Sequence, residues 1–127
     1  MLIGFGVGYA VFGTRAPDLG AAAEVVQERL TEARGLLEVA AIEYREGAPA
    51  GSIANQPEYD AATRAVTRAQ EAVEAVDAPL RALAPDRAAA LEDGFGALVT
   101  LMGDVESPDA VDDAVEAQIE LLLASPS

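Results

Sequence analysis

The stretch LGAAAEVVQERLTEARGLLEVAAIEYRE, residues 19–46, decides the fold. Its apolar positions Leu19, Ala23, Val26, Leu30, Ala33, Leu37, Ala40 and Tyr44 alternate in steps of four and three. That spacing keeps one face of an α-helix turned toward a partner. Glu24, Glu28, Arg29, Glu32 and Glu46 fall off the stripe, and Gly47 and Pro49 end it.

Working outward, the same pattern returns at Tyr59, Ala62, Val66, Ala69, Val73, Val76 and Leu80, read as one second helix opening at Pro57-Glu58. Leu83-Ala84-Pro85-Asp86 marks a turn. A third stripe, Leu91, Phe95, Leu98, Met102 and Val105, carries Gly94 and Gly96 at its edge, where close helix contact is expected. Ser107-Pro108-Asp109 is a strong restart signal, a Ser N-cap followed by Pro at the first helical position. The fourth helix is expected to bury Val111, Val115, Ile119, Leu122 and Leu123. These stripes predict an all-α, up-down-up-down four-helix bundle over residues 17–127.

Residues 1–16 form a different object. Met1 to Gly13 is an uncharged apolar run ending at Thr14-Arg15, shorter than the ~20 residues a spanning helix needs. It lacks the basic start of a standard signal peptide but matches an apolar signal region in length. We expect a signal or anchor-like segment, placing the bundle outside the membrane. Gly4, Gly6 and Gly8 do not complete a dinucleotide fingerprint, because Tyr9 stands where its third Gly belongs.

Composition removes whole classes of function. With 22 acids against 8 bases and a net charge of −14, the chain repels nucleic acid and anionic lipid headgroups. The absence of Cys and His excludes thiolate zinc sites, Cys nucleophiles and any His general base. Di-iron bundles of the Glu-x-x-His type are excluded with them. The expectation is a non-catalytic domain.

Two acidic regions could carry chemistry. Glu43-Tyr44 and Glu58-Tyr59 stand at the two ends of one irregular connection, which antiparallel helices would bring together. Carboxylate and phenolate oxygens are hard donors suited to ferric iron, calcium or magnesium, so Glu43, Tyr44, Glu58 and Tyr59 form a candidate metal site. The competing role is structural: both tyrosines complete the stripes as core caps, their hydroxyls reaching backbone or solvent. The second region is Asp104, Glu106, Asp109, Asp112, Asp113, Glu116 and Glu120, a solvated face or a surface for a basic partner.

The residues Leu36-Leu37-Glu38-Val39-Ala40-Ala41-Ile42-Glu43-Tyr44, followed by Gly51-Ser52-Ile53-Ala54-Asn55-Gln56-Pro57-Glu58-Tyr59, resemble the extracytoplasmic helical domain attached to bacterial high-affinity iron permeases. The resemblance implies a periplasmic or cell-surface accessory domain of iron uptake, with iron as its ion and a membrane permease as its partner. The permease motif Arg-Glu-x-x-Glu is absent, since Arg45-Glu46-Gly47-Ala48-Pro49 lacks the final acid; Ala50 also stands where an acid is expected. The alternative is a membrane-tethered acidic interaction or sensor domain with no metal.

Overall fold

A computed structural model describes residues 19–123, all of whose regular structure is helical. Five helices follow in order: α1 (Leu19–Gly47), α2 (Gln56–Glu74), α3 (Asp77–Leu83), α4 (Pro85–Gly103) and α5 (Pro108–Leu123). The expected signal or anchor segment, residues 1–16, lies outside the described residues.

The stripes become the core. Val26, Leu30, Leu37 and Tyr44 of α1 are buried together with Val66, Leu91, Phe95, Leu98, Met102, Val111, Val115 and Leu122. Ala33, Ala40, Ala62 and Ala69 are equally buried, and these small side chains let the long hairpin of α1 and α2 close tightly. Burying a Leu or Val side chain contributes roughly 1.5–3 kcal/mol, so the core rests on many modest aliphatic contributions with few aromatic ones.

The expected second helix is broken. Helix α2 stops at Glu74, Val76 adopts φ −118° and ψ 23°, and a short α3 resumes at Asp77. The cause is Pro79, which has no N–H to give to the Ala75 carbonyl and whose ring would clash with it in a continuous helix. The break leaves the apolar register usable, because Val76 and Leu80 are still buried.

Three other expectations are corrected. Leu123 is 55% exposed, and the fourth buried position of α5 is Gln118, at 2% exposure. A β-carbon on Gly96 would meet nothing within 4 Å, so only Gly94 marks a close contact. Val105 still packs, partly buried, against the core, but it is not helical: it takes φ 52° in the turn after α4, where its amide bonds to the Met102 carbonyl and that of Glu106 to the Leu101 carbonyl. This is the hydrogen-bond pattern of a Schellman helix stop, with a β-branched residue at the left-handed position usually given to Gly.

Candidate functional site at the loop end of the bundle

The C-terminal ends of α1 and α4 and the N-terminal ends of α2 and α5 meet at one end of the molecule. Their junction begins at Gly47. A β-carbon there would lie 2.5 Å from the Tyr59 amide nitrogen, so the end of α1 abuts the first turn of α2 with no room for a side chain. The connection between them folds back onto α1: the amides of Ala54 and Asn55 donate to the Gly47 carbonyl at 2.7 and 3.0 Å. Asn55 Nδ2 donates to the Glu46 carbonyl at 3.0 Å. Asn55 thus closes the C-terminal end of α1 with its side chain while its backbone starts α2.

This closure brings Tyr44 and Tyr59 together, with ring centroids 6.1 Å apart and planes tilted by 45°. Such tilted aromatic pairs contribute about 0.5–1.5 kcal/mol beyond their buried area. Each ring then crosses to the other hairpin. The Tyr44 hydroxyl donates to the Glu106 carbonyl at 2.5 Å, and the Tyr59 hydroxyl to the Met102 carbonyl at 2.7 Å. Both acceptors flank the left-handed Val105, so the two phenols clamp the turn between α4 and α5.

Electrostatics reinforce the donor role. Burial, then the neighbouring Tyr59, then Glu106 push the Tyr44 phenol above its ordinary pKa, favouring the protonated form that donates. Glu43 and Glu58, the sequence neighbours of the two rings, are half-buried and form no ion pair among the described residues. No three carboxylates among the described residues converge in a group able to hold a metal ion. Tyr44 and Tyr59 would become ligands only by giving up both the proton and the bond to a backbone carbonyl.

Beside this clamp, Arg45 pairs with Asp109 at 3.0 Å and with Asp112, joining α1 to the start of α5. These bonds, Asp112 first, hold the guanidinium above its ordinary pKa. Two members of the acidic α5 region therefore have a specific partner within the fold. The sequence reading missed this link because nothing in the spacing of Arg45 points to a helix more than sixty residues away.

The model of the iron permease-associated 4-helix bundle domain matches residues 21–125. The chain belongs to this family. Its match spans all but the first two of the described residues, so α1 to α5 together make up the iron permease-associated bundle. The family ties the chain to a membrane transporter and is not a known enzyme family. No helix among the described residues is long and apolar enough to cross a membrane. Neither the curated proteins nor the solved structures contain a match to this chain.

Proposed function

We propose that this bundle is a non-catalytic accessory domain of iron uptake, standing on the outer side of the membrane beside a permease and handling iron as cargo. Membership of the permease-associated family carries the reading. Three further features support it: the apolar run of residues 1–13, the net charge of −14, and oxygen-only donor chemistry without His or Cys. A polyanionic surface raises the local concentration of cations without a closed cage, which suits an ion that has to be passed on.

The contact for iron is the loop end. Glu43 and Glu58 are its carboxylate donors. Tyr44 and Tyr59 set the distance between the helix ends that carry those donors, and join as ligands only on release from Glu106 and Met102. Calorimetric titration of the purified chain with ferric and ferrous ions tests this. A saturable site that weakens at least about tenfold in Glu43→Gln/Glu58→Gln supports it. Equal heats in chain and variant remove the iron role at these residues.

A second reading is an acidic interaction domain with no metal. It is favoured by the engagement of both phenols as donors to backbone carbonyls. It is the reading left if the titration shows no saturable heat.

A further inference from the structure

A groove of about 530 Å³ runs between α1 and α5 on the flank of the bundle. Its floor is apolar, formed by Ala41 from α1 and the nearly buried Val115 from α5, with Ile42 and Ile119 standing in its walls. Ile42 is 60% exposed, the most exposed large hydrophobic residue among those described. Acids flank the isoleucines in both walls: Glu38 and Glu46 on either side of Ile42, and Asp112 and Glu116 before Ile119. Among the described residues, the base that lines the groove is Arg45, which is already bonded to Asp109 and Asp112.

Helical spacing builds both walls. Positions 38, 42 and 46 succeed one another at one turn on α1, and 112, 116 and 119 do so on α5. The eight-residue interval from Glu38 to Glu46 covers about 12 Å, or a little over two turns. This is the shape and length that receives two successive apolar side chains from one face of a partner helix.

Charge selects the occupant. A second copy of the chain would bring another −14 of the same sign. Anionic lipid headgroups meet the same repulsion. Among the described residues, no group of three carboxylates could hold a metal ion. What fits is an apolar stripe with Lys or Arg on both sides.

We propose that the α1–α5 groove is a docking site for a basic amphipathic helix of a partner protein. Apolar anchors of the partner cover Ile42 and Ile119, while its basic residues pair with Glu46 and Glu116 and compete with Arg34 for Glu38. The proposal concerns the partner surface and holds whether or not the domain binds iron.

The test uses the full chain and a fluorescent Leu/Lys amphipathic peptide about five turns long, followed by anisotropy. Controls are a peptide with the same Lys content but Ser in place of Leu, and a Leu/Glu peptide. Saturable one-to-one binding of the Leu/Lys peptide alone is expected. Ile42→Asp weakens it about tenfold or more. Glu46→Gln/Glu116→Gln weakens it and flattens its salt dependence. Glu24→Gln/Glu28→Gln, at the other end of the same helix, leaves it unchanged. Circular dichroism confirms that each variant is folded. Equal binding of the Ser/Lys peptide, or equal weakening by Glu24→Gln/Glu28→Gln, means general attraction to a polyanion and overturns the proposal. So does self-association of the free chain that Ile42→Asp abolishes, because the groove then receives a second copy.

Discussion

Gly47 and Tyr59 touch backbone to backbone: a β-carbon on Gly47 would reach within 2.5 Å of the Tyr59 amide nitrogen and 2.8 Å of its Cα. Neither atom is the end of a movable side chain, so the helix ends themselves have to part. Gly47→Ala is expected to cost about 1–3 kcal/mol in urea denaturation, the range for forced overpacking, despite the better helix propensity of Ala. A neutral or stabilising effect would show that α1 and α2 have slack at this end.

The raised pKa of Tyr44 makes a pH prediction. In the unfolded chain its phenol ionises near the ordinary value of 10.0, and in the fold it ionises above that. The stability it contributes is therefore complete below about pH 10 and is lost as pH rises through the folded value. Tyr44→Phe should lower stability at neutral pH by about 1 kcal/mol, the net worth of a typical hydrogen bond. The variant should also lose less stability than the parent between neutral and strongly alkaline pH, as followed by urea midpoints.

Gln118 and Gly94 make a coupled pair. Gln118 Nε2 donates to the Leu91 carbonyl at 3.0 Å, and its side chain fills the space over Gly94, where a β-carbon would lie 1.8 Å from Oε1. Gly94→Ala alone should destabilise by displacing the buried amide. In a Gln118→Ala background the same change should be neutral or stabilise by up to about 1 kcal/mol, the propensity difference between Ala and Gly. Additive effects in the double-mutant cycle would contradict the contact.

Arg87 holds the far end of the α4–α5 hairpin. Its Nε and Nη2 donate to the Leu121 and Leu122 carbonyls at 2.6 and 2.7 Å, while Nη1 is buried without a partner. Burial lowers its pKa. The favourable side is the negative C-terminal end of α5, where a cation is stabilised. Arg87→Met keeps an unbranched apolar stem and removes the two donors. Its expected cost is about 1–3 kcal/mol, with faster amide hydrogen exchange in the last turn of α5. Unchanged exchange there would mean that the guanidinium does not hold this helix end.

Apolar period made the helices legible, and it did so wherever the packing residue was itself apolar. Leu30, Leu37, Val66, Leu91 and Val111 were readable on that basis. Gln118 was not, because a polar residue contributes nothing to a hydrophobic stripe even when a carbonyl on the facing helix satisfies it. The break before α3 was written in Pro79 but masked by a register that continues across it to Leu80. At the loop end, the meeting of Tyr44 with Tyr59 followed from antiparallel helices. That their hydroxyls would reach backbone was one of the two roles open to them; which carbonyls accept was not legible, because Met102 and Glu106 accept through their main chain, which carries no sequence signature. The left-handed Val105 was hidden for a related reason: a β-branched residue reads as core, and only the tertiary setting holds it in such a turn.

Among the described residues, the polar ties between the first hairpin, α1–α2, and the second, α4–α5, run from Tyr44, Tyr59 and Arg45. All three lie at the same rim. At the opposite rim Arg87 links α4 only to its own neighbour, and Arg81 links α3 to α4. The molecule is built like a clothes peg: α3 is the spring that joins the two arms, and the tyrosine rim is where the jaws grip. Loosening that grip at Tyr44 and Tyr59 should let the arms part at the rim while α3 keeps them joined, seen as faster amide hydrogen exchange first around the turn between α4 and α5.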